Sequence, residues 1–389
     1  MKHYFRFFCL IVIFQLTYVN LAAQASYKLF VRPAKPLANA DVIYVAGNFN
    51  NWDPAKTPLS YNAADSSWNI SLPYSPDAYE FKFTRGSWDK VEANANGSDK
   101  ENRVVKPGSD SIIQVNIAAW KDAFTPRQRI HTASTNVTIV DTAFAIPQLA
   151  RNRRIWVYLP PDYQQSKKSY PVIYMHDGQN LFDELTSGFG EWGIDEFLDS
   201  LNKAGKNACI IVGIDNGRQR LNEYNPYDNQ RFGKGEGAAY TDFIVKSLKP
   251  FIDRRFRTLK DKDNTAIAGS SMGGLISYYA ALKNPEVFGK AGIFSPSFWI
   301  APEMYLLTDS VAQNIRGKFF FYIGEQEGEE NVQKMQEMME KLGAKSSALI
   351  YSVNDAAGSH NEKAWRKWFP EFYKWIMADW TNYIIREQR

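Results

Sequence analysis

Cysteine is almost absent from this sequence: its 389 residues hold two, Cys9 and Cys209. Cys9 lies in an apolar run at the amino terminus, so a chain without that run would keep Cys209 alone. A single thiol forms no internal disulfide, which excludes a disulfide-stapled scaffold. Cys209 sits in Ala208-Cys-Ile-Ile-Val-Gly213 and reads as a buried core residue. Strong charge is lacking too. The formal net charge is +4, which gives no reason to expect nucleic acid or an anionic membrane as partner. Histidine is scarce, with only His3, His131, His176 and His360. No second His-rich cluster accompanies His176-Asp177, so neither a metal nor a cofactor is expected. After the amino terminus no apolar run is long enough to cross a bilayer, and there is no internal repeat or low-complexity stretch.

Aromatic residues are abundant: 21 Tyr, 25 Phe and 11 Trp. Many belong in a core, and flat rings also suit sugar stacking. Residues 1–25 read as a signal peptide. Lys2, His3 and Arg6 form its basic start, Phe7-Phe-Cys-Leu-Ile-Val-Ile-Phe14 its apolar core, and Ala23-Gln24-Ala25 its small-residue cleavage site. An exported chain without disulfides fits a bacterial periplasm or exterior. The length favours two domains; the sequence leaves the oligomeric state open.

Residues 26–118 carry short alternating runs, including Val42-Ile-Tyr-Val45, Ser67-Trp-Asn-Ile-Ser71 and Tyr79-Glu-Phe-Lys-Phe-Thr84, between Asn, Gly, Pro and Asp turns. This spacing predicts an all-β sandwich. Residues 119–134 form a polar connection. From 135 to 389 the pattern changes: apolar strand-like runs at 154–159, 172–175, 209–212, 265–268, 318–322 and 348–351 alternate with helix-like ones at 192–203, 239–256, 331–342 and 362–380. Such alternation predicts an α/β domain with a mostly parallel sheet and helices on both faces. Ligands then sit beyond the carboxyl ends of the strands.

The most informative stretch is Ala266-Ile-Ala-Gly-Ser-Ser-Met-Gly-Gly-Leu275. Its order of strand, G-x-S-x-G and helix is that of a nucleophile elbow. The glycines permit a tight turn, and Ser271 at the apex would face the positive end of the following helix. A serine nucleophile needs a base. In the order Ser, acid, His only His360, in Ala357-Gly-Ser-His-Asn-Glu362, lies downstream of Ser271. The acid is expected after the strand at 318–323, in Gly324-Glu-Gln-Glu-Gly328. Glu327 is favoured over Glu325, with Asp355 a weaker rival. The oxyanion donors are expected to be the backbone N–H of Met272 and one from the loop near Gly178 and Gln179, centred on Gln179.

Two resemblances sharpen these expectations. Ala46-Gly-Asn-Phe-Asn-Asn-Trp-Asp-Pro54, Tyr79-Glu-Phe-Lys-Phe83, Gly86-Ser-Trp-Asp-Lys90 and Glu101-Asn-Arg103 resemble the starch- and glycogen-binding immunoglobulin-like modules of branching enzymes and of the AMP-activated kinase β subunit. That resemblance implies Trp52 and Trp88 as sugar-stacking rings, with Lys82 and Asn102 on the hydroxyls; a module that only packs against its neighbour is the alternative. Residues from about 136 to 380 resemble the α/β-hydrolase esterases that include esterase D, feruloyl, acetyl-xylan and siderophore esterases. The motifs are His176-Asp-Gly-Gln-Asn-Leu-Phe182, Gly213-Ile-Asp-Asn216, Arg220-Leu-Asn-Glu-Tyr224, Gly269-Ser-Ser-Met-Gly-Gly274, Phe294-Ser-Pro-Ser-Phe-Trp299 and Gly358-Ser-His360. The family's acid, often Asp, falls at the Glu327 position. Arg220, Glu223, Tyr224, Ser297, Phe298 and Trp299 are then expected as pocket walls. The function implied is a secreted serine esterase acting on feruloyl or acetyl groups of polysaccharides or oligosaccharides. A siderophore esterase, or a carbohydrate-binding protein with a degenerate esterase domain, is the alternative.

Overall fold

A computed structural model describes residues 26–387, apart from 38–40, 77, 101, 107, 110, 125–128 and 207. The segment expected as a signal peptide lies outside the described residues. The chain divides into two compact units, 1–128 and 129–389.

The first unit is built of short strands: β1 (Ser26–Pro33), β2 (Tyr44–Gly47), β3 (Ser60–Asn62), β4 (Ser67–Pro73), β5 (Tyr79–Thr84), β6 (Glu92–Ala93), β7 (Arg103–Val105), β8 (Ile112–Ile117) and β9 (Ala119–Trp120). They form sheets of order β3-β4-β1-β8, β2-β5-β7 and β6-β9. Alternation does the building. Leu29 and Val31 of β1, Val45 of β2, Phe81 and Phe83 of β5, and Val115 and Ile117 of β8 meet in one buried cluster. Glu80 and Lys82 alternate with the two phenylalanines and face away from it. Inside, Glu92 is paired with Arg103 and also accepts from the Phe83 N–H, so a nearly unexposed carboxylate keeps its partners.

The second unit holds one eight-stranded sheet of order β10-β11-β13-β12-β14-β15-β16-β17. Its strands are β10 (Val137–Ile146), β11 (Arg151–Tyr158), β12 (Val172–His176), β13 (Ile210–Ile214), β14 (Thr265–Ser270), β15 (Lys290–Phe294), β16 (Lys318–Gly324) and β17 (Leu349–Asp355). From β13 through β17 every pairing is parallel, while β10 and β11 join antiparallel. The central strands are buried throughout, as in a sheet covered on both faces. This explains why they read as continuous apolar runs. Cys209 is buried just before β13, and burial pushes its thiol upward.

The structure adds two strands that the apolar runs did not announce. β15 contains Gly292 and begins with a lysine, so it is short on apolar signal. β10 lies at the sheet edge, its pairing with β11 is irregular, and it has no regular buried face to produce alternation. The helix expected at 239–256 runs instead as Gly237–Phe243, a π-helical turn Ile244–Leu248, and Lys249–Arg255.

Candidate active site

Ser271 follows β14 and starts the helix Met272–Lys283. Its backbone is left-handed, at φ 59° and ψ −122°, a conformation that costs a non-glycine residue energy and marks functional turns. Surroundings hold it there. The Ser271 N–H donates to the Phe294 carbonyl at 2.8 Å, and the Ser271 carbonyl accepts from Leu275 N–H at 3.1 Å and Ser297 N–H at 3.2 Å. At Gly269 a Cβ would come within 2.9 Å of the Gly273 backbone and 3.0 Å of the His176 ring. Only glycine lets the strand, the helix and His176 approach so closely. Ser297 Oγ is 3.3 Å from Ser271 Oγ. The first N–H groups of the helix, with that of Met272 leading, have no partner within the helix itself and lie beside the serine.

Three further strand ends converge on the same edge. The register aligns Ser270, Phe294 and Tyr322, then Gly324 with Asp355, so the segments after β14, β15, β16 and β17 leave the sheet side by side. Glu327 follows β16. Its Oε2 accepts from His360 Nδ1 at 2.7 Å; its Oε1 accepts from Ser295 Oγ at 2.6 Å and from the Gly324 N–H at 2.8 Å. Ser295 Oγ in turn accepts from Trp365 Nε1 at 2.9 Å, and the Trp365 ring meets His360 edge-on at 5.2 Å. The Glu327 carboxylate is thus almost sealed, at 3% side-chain exposure, while the imidazole it holds is 38% exposed. With Nδ1 bound to Glu327, the ring orientation and tautomer of His360 are set by that carboxylate. A Cβ on Gly324 would collide with the Gly358 carbonyl, so that glycine lets the His360 loop close onto β16.

The alternatives for the acid separate cleanly. Glu325 is exposed. Asp355 is engaged by Lys367 at 2.8 Å and by Trp368 Nε1 at 2.7 Å, facing the last helix rather than His360.

On the other side of Ser271 lies the turn His176–Asn180. His176 is buried with Nδ1 3.0 Å from the Tyr240 hydroxyl, and burial pushes it down to about 3, so it stays neutral. Asp177, with φ 57°, is gripped by Arg220 at 2.7 and 2.8 Å and by Asn216 Nδ2 at 2.7 Å. Burial alone would raise its carboxyl, but the Arg220 guanidinium holds it below its usual value. Gln179 is anchored at both ends of its residue: its Oε1 accepts from the Asn216 N–H at 3.1 Å, and its carbonyl accepts from Thr186 Oγ1 at 2.8 Å.

Several expected wall residues are structural instead. Glu223 is fully buried between Arg153, at 2.7 Å, and Arg151, at 2.9 Å. Tyr224 is fully buried, with its ring under Arg220 and its hydroxyl accepting from the Asp177 N–H at 3.4 Å. Arg220 is spent on Asp177. Phe298 packs in the core against Tyr278. These four brace the turn and the elbow rather than line an open wall; charge and aromaticity in a loop do not reveal burial. Ser297 is buried against the elbow, and Trp299 stays partly open beside Phe232, as does Arg220 above Asp177.

Residues that the motifs did not single out complete the site. Ser295 orients Glu327, and Trp365 backs His360. Glu362, two residues past His360, is buried and accepts from Asn180 Nδ2 at 3.3 Å. Burial, with the nearby Asp177 charge, pushes it up to about 7. Ser295 lies inside the Phe294–Trp299 motif, though the sequence assigns it no role; nothing in sequence marks Trp365 or Glu362.

In the first unit, Trp52 and Trp88 are half-buried, with ring centroids 6.4 Å apart and tilted by 35°. Lys82 lies opposite Ala46 on β2, and Asn102 Nδ2 donates to Glu80 Oε2 at 3.4 Å.

Against known proteins, residues 146–376 match the family described as "Putative esterase". The chain belongs to this family. Among its relatives, the protein YbbA of Bacillus subtilis is 28% identical over 247 residues, covering 58% of this chain and 93% of the relative. The endo-1,4-beta-xylanase/feruloyl esterase of Xylanibacter ruminicola is 28% identical over 215 residues, covering 54% of this chain but only 27% of that protein. The iron(III) salmochelin esterase of Escherichia coli is 25% identical over 235 residues, 56% of this chain and 52% of the relative. Among solved structures, the BES protein of Bacillus cereus aligns at TM-score 0.52 and 20% identity, over 65% of this chain and 98% of its own. The enterobactin esterase of Shigella flexneri aligns at 0.51 and 16%, over 87% and 88%. These likenesses establish the α/β-hydrolase type of fold and a carboxylic ester hydrolase family. Among the described residues no helix is long and apolar enough to cross a membrane.

Proposed function

We propose that the protein is an exported serine carboxylesterase that removes feruloyl or acetyl groups from plant polysaccharides. The observation that carries the reading is the run Ser295–Glu327–His360, which ends on a half-open imidazole at the strand edge that also presents Ser271. Ser271 Oγ attacks the ester carbonyl as His360 Nε2 takes its proton. Glu327 holds the imidazole through Nδ1 and stabilises the imidazolium that forms. The N–H groups of Met272 and Gln179 receive the oxyanion, each donor worth about 3 kcal/mol. His360 then returns the proton to the leaving alcohol, and water activated by the same imidazole clears the acyl-enzyme. This sequence of steps requires no cofactor.

The polysaccharide side rests on the first unit. Read as an immunoglobulin-like sugar-binding module, it offers Trp52 and Trp88 for stacking, with Lys82 and Asn102 for hydroxyls. The tilted, half-open ring pair suits that role. A relative named as a feruloyl esterase supports the acyl group. The siderophore reading asks for a basic patch to hold an anionic catecholate; the commitment of Arg220 to Asp177 weakens it, leaving Arg218 exposed. A degenerate esterase domain would not be expected to keep serine, acid and base together.

The test is product release by the purified protein from feruloylated arabinoxylan and acetylated xylan, with Ser271→Ala as blank. Ferulate or acetate from the wild type alone supports the reading. Cleavage of small esters without either product would turn it toward siderophores; no ester cleavage at all would overturn it.

A further inference from the structure

The loop from Asp183 to Glu191 is bound to the turn carrying Gln179, and nothing in the mechanism above uses it. Its backbone is tied on both sides. Thr186 Oγ1 donates to the Gln179 carbonyl at 2.8 Å, and the Gly188 N–H donates to Asn180 Oδ1 at 3.1 Å. Both acceptors belong to the turn that abuts the serine elbow through His176. A Cβ on Gly190 would lie 3.8 Å from Glu362, two residues past His360. The loop is therefore lodged between the turn carrying Gln179 and the loop carrying the imidazole.

The base of the loop is fixed as firmly. Asp183 is buried and accepts from Thr132 and Leu185 N–H groups and meets His131 Nδ1 at 2.6 Å. Arg129 Nη1 donates to the Ser187 carbonyl at 2.6 Å. Yet two large apolar side chains on this held loop face solvent: Leu185 is 52% exposed and Phe189 is 68% exposed. Isolated exposed apolar residues are common on protein surfaces. Here the two lie four residues apart on one loop tied to the turn carrying Gln179, and Phe189 is flanked by Gly188 and Gly190, which carry no side chains to cover its ring. Such a ring gains by covering a flat apolar group of a bound ligand.

We infer that Phe189, with Leu185 on the same loop, is a specificity-determining contact that receives an aromatic or extended apolar group adjoining the scissile ester. The inference rests on the esterase reading and adds the class of substituent. It does not fix whether that group is on the acyl or the alcohol side, and the experiment separates the two. kcat/KM is measured for wild type, Phe189→Ala and Phe189→Tyr on methyl acetate, 4-nitrophenyl acetate and methyl ferulate. These esters carry an aryl group on neither side, on the alcohol side and on the acyl side.

Phe189→Ala should lose about tenfold on at least one aryl ester, keep its rate on methyl acetate, and be rescued by Phe189→Tyr. Loss on methyl ferulate alone assigns the acyl side; loss on 4-nitrophenyl acetate alone assigns the alcohol side. Equal losses on all three esters, or no change on any, would overturn the inference while leaving the esterase intact. A wild type inert on all three, as Ser271→Ala should be, would overturn the esterase reading and this inference together.

Discussion

Two polar networks stand at the carboxyl edge of the same sheet, and they differ in how they end. One follows β13: Arg153, Arg151 and Glu223, then Arg220, Asp177 and Tyr224, with Asp215 held by Arg154 and Trp156. It is richer in charge, but its carboxylates are turned inward onto guanidinium groups and ring donors. The other follows β16 and β17: Ser295, Glu327 and His360. It contains a single carboxylate, and it runs out to an imidazole that solvent reaches. A buried network whose bonds close on one another holds shape. A network that leaves one titratable atom at the surface can pass a proton. On the proposed mechanism, exposure at the end of the network, rather than the number of charged residues in it, separates scaffold from chemistry.

The comparison breaks most easily at Glu327. Replacing it with Gln should cut kcat by about 10³ to 10⁴-fold, because the amide no longer fixes the productive tautomer. Glu325→Gln, on the exposed neighbour, should leave kcat unchanged. Equal losses from both would dissolve the distinction. The converse holds on the β13 side. Glu223→Gln removes the charge facing two arginines, one of them buried, and should cost about 3 kcal/mol of unfolding free energy by denaturant titration. The folded fraction should retain the wild-type kcat. A large fall in kcat with unchanged stability would return Glu223 to the reacting centre.

An effect that grows only as pH rises concerns Glu362, which lies between the networks. Its folded pKa of about 7 stands above the ordinary value of 4.5, so the folded state prefers the protonated form. The stability this contributes is present below pH 4.5 and is lost as pH rises through 7. Glu362→Gln, which stays neutral, should therefore be about 3 kcal/mol more stable than wild type at pH 8. That advantage should shrink to nothing near pH 4.5. A difference that is constant with pH would show that ionisation of Glu362 is not what separates the two proteins.

What was legible in sequence follows the same division. Strands buried on both faces print themselves as apolar runs, so β12, β13, β14 and β16 were readable, whereas β10, without a regular buried face, was not. The tight approach at Gly269 was readable because steric need selects glycine. Glu327 is favoured over Glu325 in sequence and the family's acid position agrees, but the physical difference, which of the two turns inward beneath His360, is visible only in the fold. Arg220, Glu223 and Tyr224 looked like a pocket wall for a related reason. An ion pair that faces inward and a binding residue that faces outward have the same letters, and their sense depends on Arg151, Arg153 and Asp177, some 40 to 70 positions away. Glu362 carried no signal at all, because its environment is assembled from the Asn180 turn on a distant strand end.

The most direct measurement is active-site labelling with a fluorophosphonate, located by peptide mass. The account predicts one adduct per chain, on Ser271, formed slowly or not at all in Glu327→Gln and absent in Ser271→Ala. An adduct on another residue, or none on a protein that still cleaves esters, would contradict the assignment of Ser271 as nucleophile.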